Sequence, residues 1–213
     1  MTTVILYVQS CRGVGHLHRV AAIARTLLAR NSSPAGSSSS PPAPPTPSPS
    51  ASPTSSARRP RVRVVLVSGG APVAGIAERL ARSAEECAVA AQSGGGGGDL
   101  FRFVQLSPAV TSAPPGRDAW KLVDARTGAA LERAMEERRR AQLLRVLREE
   151  APVAAVVVEM FPFGRRRFHF EIEPLLDACY ELCPFADNDG ESACEDLSPR
   201  SRPAVLCSVR DVL

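Results

Sequence analysis

The feature that most constrains the fold is an unbroken apolar run at residues 153–158, Val-Ala-Ala-Val-Val-Val, directly after Pro152. The run lacks the apolar–polar alternation of a strand that has one face in water. Strands that are covered on both faces of a parallel sheet have this composition instead. The run therefore predicts a parallel sheet with helices packed on both of its faces.

Four more segments have the composition of strands, and helical patterns separate them. The strand segments are residues 4–9, 62–67, 101–106 and 204–209. Helices are predicted to about residue 30 after the first strand, from 76 to about 91, from about 128 to 150, and through 174–176. The residues expected on the inner side of the third helix are Leu131, Met135, Leu144 and Leu147. This alternation describes an open, parallel, Rossmann-like α/β sheet with right-handed crossovers.

Three stretches of biased composition interrupt the pattern. Of the 27 residues from 31 to 57, 11 are Ser and 8 are Pro, and such a segment buries too little apolar surface to offset its ordering entropy. We therefore predict a disordered insertion over 31–60, between a helix and a strand, where insertions are tolerated. A Gly-rich insertion over 93–99 and an acidic insertion over 184–202 are also predicted. With these insertions, residues 1–213 are interpreted as one domain.

Charge and cysteine content narrow the class of protein. A formal net charge of +4 allows anionic ligands without indicating nucleic acid. The N-terminus lacks the features of a secretory signal, and no apolar run approaches the roughly 20 residues of a membrane span. We therefore expect a cytoplasmic protein with reduced thiols. Cys179 and Cys183 are four residues apart, but the six cysteines have no recognised zinc spacing, so no metal site is predicted.

Residues with ligand-binding chemistry follow the predicted strands. They occur at residues 13–19, 68–72, 159–167 and 210–211. Ligands of parallel sheets bind beyond the carboxyl ends of the strands, so these segments predict a common site. The first segment also opens a helix, whose N-terminal N–H groups attract anions.

A dinucleotide fingerprint does not fit the first segment. Gly13 and Gly15 supply two glycines, but His18 occupies the third position, and no acid for a ribose follows the second strand at Ser68. A P-loop is excluded because no Gly-Lys-Ser/Thr follows the turn. No cofactor is therefore predicted.

The pattern Gly-x-Gly-His-x-x-Arg at 13–19 resembles the first loop of GT-B glycosyltransferases, particularly the lipid-linked N-acetylglucosaminyl transferases of cell-wall synthesis. Further segments are similar to a family of predicted, largely bacterial glycosyltransferases: Ser-Gly-Gly-x-Pro-Val at 68–73, Leu-Val-Asp at 122–124, Glu-x-Phe-Pro-Phe-Gly-Arg-Arg-x-Phe-x-Phe-Glu at 159–171, and Ser-Val-Arg-Asp-Val-Leu at 208–213. The resemblance implies the N-terminal, acceptor-side domain of a nucleotide-sugar-dependent, hexosyltransferase-like enzyme.

The resemblance also implies a role for His16, which occupies the position where related enzymes hold a catalytic histidine. Imidazole exchanges protons near neutral pH, so His16 is expected to accept the proton of the acceptor hydroxyl or to orient the acceptor. The alternative is that His16 only caps the helix or bonds to a neighbouring loop. His18 and His169 are interpreted as surface or packing residues.

Substrate contacts are expected from the same loops. The guanidinium groups of Arg165, Arg166 and Arg167 match a phosphate or carboxylate of the acceptor, and a solvated basic loop is the alternative. Glu159 is expected to orient a histidine or an arginine across the cleft, or to pair with a loop arginine. The expected substrate-binding set is Gly13, Gly15, Arg19, Ser68, Gly69, Gly70, Glu159, Arg165, Arg166 and Asp211.

GT-B enzymes have two Rossmann-like domains, and the second makes most contacts to the nucleotide-sugar. The resemblance covers only the first, so a C-terminal domain or a partner chain is expected to hold the donor, and the acceptor is unknown. The 213 residues alone are expected not to transfer a sugar. The alternative is a non-catalytic binding or interaction module that kept the fold. RNA binding has only charge in its favour, so no nucleic-acid partner is predicted.

Overall fold

The computed structural model describes residues 1–10, 14–31, 61–90, 99–112, 121–160, 166–181 and 203–208. Seven strands and four α-helices lie in this part of the chain. They are β1 (Thr2–Val8), α1 (Gly15–Ala29), β2 (Val62–Ser68), α2 (Ile76–Ala90), β3 (Phe101–Gln105), β4 (Ala109–Thr111), β5 (Leu122–Asp124), α3 (Arg133–Glu149), β6 (Val153–Glu159), α4 (His169–Glu181) and β7 (Ala204–Ser208). A 3₁₀ turn, Arg166–Phe168, leads into α4.

Five of the strands form one parallel sheet in the order β3-β2-β1-β6-β7. The expected α/β fold with a five-stranded parallel sheet is therefore confirmed, and the strand order is compatible with a Rossmann-like fold. From β1 the chain moves outward to β2 and β3, whereas β6 and β7 lie on the other side of β1. The strand order therefore reverses between β1 and β6.

Two hydrophobic cores lie on opposite faces of the sheet, because successive side chains of a strand point to opposite faces. In β1, Leu6 and Val8 pack with α1 and α2, while Ile5 and Tyr7 pack with α3 and α4. All four of these side chains are buried. The central strand is thus covered on both faces, as the apolar runs of the sequence predict.

The third helix begins later than the sequence predicts, at Arg133 rather than near Gly128. Gly128 has a φ of 70°, a conformation that favours glycine and interrupts a helix. The carboxylate of Asp124 accepts backbone hydrogen bonds from Arg126 and Thr127, which closes a turn instead. This turn continues the antiparallel β4–β5 hairpin, an element that the sequence analysis does not predict.

The later start also changes the inner face of α3. Its buried residues are Arg139, Leu143, Val146 and Leu147. Of the four residues expected there, only Leu147 is buried, and Leu131 lies before the helix. Leu144 and Met135 are half-buried at the margin of this face.

The stretches predicted as insertions lie outside the described residues, apart from Asn31 and Asp99. Asn31 belongs to the folded structure. Its side-chain amide donates to the Val62 carbonyl at 2.9 Å, and its side-chain oxygen accepts from the Val62 N–H at 2.7 Å. These two bonds join the end of α1 to the start of β2, so the chain between them connects two points that are already close.

Within the described ranges, no helix is long and apolar enough to cross a membrane.

A charged cluster joins the first residues of β2 and β3 to the end of α3. Arg63 donates to Glu150 through Nε at 2.8 Å and through Nη2 at 3.2 Å, and Arg102 donates to Glu150 at 2.8 Å. Arg102 also reaches Glu149 at 2.9 Å. Burial of Glu150 opposes its charge, but hydrogen bonds from Arg63 and Arg102 outweigh burial and lower the pKa of this carboxyl group.

The lowered pKa of Glu150 predicts a stability contribution that acid removes. Because the folded-state pKa lies below the ordinary value of 4.5, the unfolded chain binds more protons as the pH falls, and the contribution is lost through the folded-state pKa. Glu150→Gln should therefore lower the free energy of unfolding by about 1–3 kcal/mol at neutral pH, and the difference should shrink at acid pH. Urea denaturation at both pH values measures this.

The matched control is Glu137→Gln, which removes an exposed partner of Arg133 on α3. That substitution should change the free energy of unfolding by less than about 0.5 kcal/mol. An equal loss in both variants, or a loss for Glu150→Gln that persists unchanged in acid, would contradict the prediction.

Candidate functional site

The candidate site lies where the strand order reverses, at the carboxyl ends of β1 and β6. Connections from two adjacent parallel strands leave in opposite directions at such a point and open a crevice between them. α1 follows β1 and begins at Gly15, while β6 ends at Glu159. Both segments were expected to contribute to one site.

His16 and Glu159 meet at this point of the sheet. Nδ1 of His16 lies 2.5 Å from Oε1 of Glu159. The Glu159 side chain is 1% exposed and that of His16 is 23% exposed, so the carboxylate is held inside the protein and the imidazole is partly open to solvent. Of the partners that the sequence left open for Glu159, the structure brings a histidine against it.

The contact assigns different tasks to the two ring nitrogens of His16. A carboxylate accepts hydrogen bonds, so Nδ1–H is the donor to Glu159 and Nε2 carries the lone pair when the ring is neutral. A carboxylate behind a histidine holds the ring orientation and stabilises the protonated ring. The pair therefore has the arrangement of a general base with its orienting group.

The end of β6 turns sharply after Glu159. Met160 has a φ of 64°, which is uncommon for a residue other than glycine, and its N–H bonds to the Ser208 carbonyl at 3.0 Å. Burial and the nearby charge of Glu159 raise the pKa of the Cys207 thiol. The neighbouring strand thus fixes the backbone at Glu159, and the thiol there stays protonated at neutral pH.

The N-terminus of α1 has no side-chain cap. Val14 is the N-cap residue and makes no side-chain hydrogen bond, and the first turn contains no acid. A Cβ at Gly15 would meet nothing within 4 Å among the described residues. The positive end of the helix dipole is therefore not neutralised by the helix itself, and Arg19 follows His16 by one turn.

The backbone groups of the Ser68–Gly70 segment are hydrogen-bonded to neighbouring residues. The Gly69 N–H donates to the Val8 carbonyl at 2.9 Å, and the Gly69 carbonyl accepts from Ala109 at 3.0 Å. Gln105 donates from Nε2 to the carbonyls of Ser68 and Gly70 at 3.0 and 2.9 Å. The carbonyls of this segment are thus used inside the protein.

Both glycines of this segment are required by close packing. A Cβ on Gly70 would lie 2.5 Å from the Ser10 carbonyl oxygen and 2.9 Å from its Cβ, and a Cβ on Gly69 would lie 2.6 Å from Nη2 of Arg139. Their expected substrate-binding role remains a prediction. The structure gives both a packing role that accounts for glycine here.

Two buried hydroxyls at this edge of the sheet have no hydrogen-bond partner among the residues that the structure describes. They belong to Ser10, after β1, and Ser68, at the end of β2. Ser68 is fully buried and Ser10 is 5% exposed. Buried hydroxyls normally have a partner, so this edge has unused polar capacity within the described part of the protein.

A buried ion pair lies beside Gln9 and Gly69, at the same edge of the sheet. Arg139 donates to Glu171 from Nε at 2.9 Å and from Nη2 at 2.7 Å, and both side chains are fully buried. Arg139 also donates to the carbonyls of Gly69 and Ser107 and to the side-chain oxygen of Gln9. Its guanidinium thus joins α3 to α4 and to the segments that follow β1, β2 and β3 at the carboxyl edge.

Tyr7 completes this network. Its hydroxyl donates to Oε1 of Glu171 at 2.5 Å. Burial and the charge of Glu171 raise the pKa of Tyr7 well above its ordinary value. Burial opposes the charge of Arg139, but the attraction of Glu171 outweighs it and raises the pKa of the guanidinium. The network therefore holds one negative and one positive charge together with a neutral phenol.

Arg139 is not among the site residues predicted from the sequence, although its position carries a signal. Arg139 lies four, seven and eight residues before Leu143, Val146 and Leu147, on the apolar stripe of α3. A charged residue on such a stripe is normally paired when it is buried. The inner face predicted from the sequence consists of Leu131, Met135, Leu144 and Leu147 instead, so burial of Arg139 is not expected there.

Of the other residues expected in the site, the structure describes Arg166 but not Gly13, Arg165 or Asp211. Arg166 lies in the 3₁₀ turn before α4 and is exposed, and its carbonyl accepts a hydrogen bond from His169 at 2.8 Å. No group of three or more metal-ligating side chains occurs among the residues that the structure describes.

Comparisons with protein-family models, with curated proteins and with solved structures find no match to this chain.

The packing role of Gly70 predicts that alanine destabilises the protein at position 70 but not at position 15. Gly70→Ala would force Ser10 and its neighbours to shift and should lower the free energy of unfolding by about 1–3 kcal/mol. Gly15→Ala, at a helix position with open space, should be neutral or stabilising by up to about 1 kcal/mol. Urea denaturation of both variants measures the difference, and equal stabilities would contradict this account of Gly70.

The buried ion pair predicts a large effect for Arg139→Met, because the substitution leaves the Glu171 carboxylate buried without its cation. The free energy of unfolding should fall by about 3–5 kcal/mol. The control Arg138→Met, at the exposed neighbouring position, should change it by less than about 0.5 kcal/mol.

A double-mutant cycle with Glu171→Leu tests the pairing itself. The double variant should lose less stability than the sum of the two single variants. Additive losses in urea denaturation, or a loss for Arg139→Met no greater than for Arg138→Met, would contradict the role assigned to the pair.

Proposed function

We propose that this chain is the acceptor-side domain of a nucleotide-sugar-dependent glycosyltransferase of GT-B architecture. The observation that carries the proposal is the 2.5 Å contact between His16 and Glu159 at the reversal of the strand order. It supports a histidine base in the position that the sequence resemblance gives to His16. The pair also lies at the edge of the sheet where α/β proteins bind ligands.

The proposed chemistry assigns one proton to His16. The acceptor hydroxyl attacks the anomeric carbon of the donor, and Nε2 of His16 takes its proton as the new bond forms. The bond between the anomeric carbon and the nucleotide phosphate breaks, and the nucleoside diphosphate leaves with the electron pair. Glu159 is a positioning residue that accepts the hydrogen bond from Nδ1 and so fixes the orientation of the ring.

The surroundings of the pair suit a polar acceptor. Among the described residues, the N-cap side chain makes no hydrogen bond at the start of α1 and nothing fills the space at Gly15. This favours a group that accepts hydrogen bonds or carries negative charge. The hydroxyls of Ser10 and Ser68, which have no partner in the described part of the protein, add hydrogen-bonding capacity nearby. Arg19 follows His16 by one turn of the same helix, which supports its proposed place in the acceptor site.

On this proposal the donor is bound elsewhere. A GT-B enzyme holds the nucleotide-sugar mainly with a second Rossmann-like domain, so a further domain or a partner chain supplies that half. The 213 residues therefore contribute the base and the acceptor contacts. By themselves they are proposed not to turn over a nucleotide-sugar.

The test is a transfer assay with labelled UDP-, GDP- and dTDP-sugars, run with the chain alone and with the chain joined to its donor half. The chain alone should transfer no label. In the completed enzyme, His16→Ala should lower kcat by about 10²–10⁴-fold, as loss of a general base does. Glu159→Gln should lower kcat less than His16→Ala while leaving KM nearly unchanged, because Glu159 acts through the histidine.

Thr26→Ala, an exposed position on the same helix, is the control and should retain full activity. Transfer by the chain alone would contradict the separate donor half. Full activity of His16→Ala would contradict the base role. A completed enzyme without transfer that still binds a saccharide acceptor would favour the alternative, a non-catalytic binding module.

A further inference from the structure

We infer a second anion-binding site, distinct from the His16–Glu159 pair, in the groove between α1 and α2. The structure has a cavity of about 220 Å³ there. Its rim carries His18 and Arg25 from α1, and Arg79, Arg82 and Ser83 from α2. The ligand class that this rim fits is a phosphate or diphosphate group.

The groove has an apolar floor and a cationic rim. Ala21, Ile76 and Leu80 line the floor and are buried. Arg25 and Arg79 are exposed, so their charges lie at the entrance rather than in the core. The cavity is smaller than the pockets of roughly 300–1,000 Å³ that hold drug-sized ligands, which suits a compact anionic group.

The rim arginines have no carboxylate partner in the described structure. No ion pair within 4.0 Å joins Arg25, Arg79 or Arg82 to an acid there. This contrasts with Arg63 and Arg102, whose guanidinium groups are used by Glu150. Three guanidinium forks that share one cavity, each available for bidentate bonds, match the oxygens of a phosphate.

The distribution of acids in the sequence leaves the groove positive. The first 98 residues contain ten arginines and only three acids, Glu78, Glu85 and Glu86. These acids lie on α2 but do not line the cavity. That segment thus has a formal charge of +7 (10 − 3), whereas the whole chain has +4. On α1 and α2 themselves, four arginines face three acids. Three of the four arginines line the cavity and none of the acids does, so the rim is positive and attracts anions.

The position of the groove separates it from the candidate catalytic pair. Residues two apart on a helix are about 200° apart around its axis, so His16 and His18 lie on different flanks of α1. His16 faces Glu159 at the end of β6, and His18 faces α2. The inference therefore does not depend on the proposed glycosyl transfer.

The test uses the full chain with inorganic pyrophosphate as the probe in isothermal titration calorimetry. The wild type should bind in a saturable way, with one site and weaker binding at higher salt. Arg79→Gln with Arg82→Gln should weaken binding by about tenfold or more, because charge-assisted hydrogen bonds are lost. The control, Arg138→Gln with Arg140→Gln on the exposed face of α3, removes the same charge and should change binding by less than about twofold.

A second measurement uses the unmodified protein and does not depend on the folding of a variant. Phenylglyoxal labels accessible arginines, and mass spectrometry locates the labels. Pyrophosphate should protect Arg25, Arg79 and Arg82, and it should leave Arg138 and Arg140 unprotected.

Vesicles distinguish a membrane-borne phosphate from a free one. The wild type is sedimented with phosphatidylcholine vesicles that contain phosphatidic acid and with vesicles of phosphatidylcholine alone. Sedimentation with the first kind only, and its loss in the groove variant, would assign the phosphate to a lipid headgroup. Pyrophosphate binding without vesicle binding would assign it to a soluble ligand. Binding of neither probe, or equal losses in the groove variant and the control variant, would overturn the inference.

Discussion

The rest of the structure depends on the buried ion pair between Arg139 and Glu171. Each charge alone would be strongly unfavourable in the interior, because its hydration is lost. The pair is tolerated only when the remaining guanidinium donors also find acceptors. Gln9 and the carbonyls of Gly69 and Ser107 supply them. Because these partners come from separate elements, the network forms only when α3, α4 and the carboxyl edge of the sheet are in their native places.

This requirement connects the core to the candidate site. Gly69 and Gln9 touch Arg139 on the inner side of the edge, and the Ser10 backbone packs against Gly70. The residues that follow β1 and β2 at the carboxyl edge are therefore held by hydrogen bonds to the buried network. Fixed supports of this kind position a site without the cost of ordering it on binding. The hydroxyls of Ser10 and Ser68, at the same edge, are the exceptions, because neither has a partner in the described ranges.

How much the sequence predicts depends on the range of the interaction. Hydrophobic runs and helical periodicity are local, and they predict the five parallel strands and four helices. The late start of α3 depends on Gly128 and on the Asp124 turn, whose conformations periodicity does not describe. The burial of Arg139 is decided by Glu171, 32 residues further along the chain. Its partner lies on a different helix, so the sequence of α3 alone reads as a charged surface helix.

The candidate site also depends on a long-range interaction that the sequence does not reveal. The sequence places His16 and Glu159 at strand ends, but their contact requires β6 to lie beside β1, and strand order is not a local property. Once that order is known, the phase of α1 separates its polar residues: Leu17, Val20, Ala24 and Leu28 face the core, His16 faces β6, and His18 and Arg25 face α2. One short helix thus serves a proton-transfer pair and a cationic groove on different flanks. The buried stripe of the helix lies between these flanks and holds both of them in a fixed orientation to the sheet.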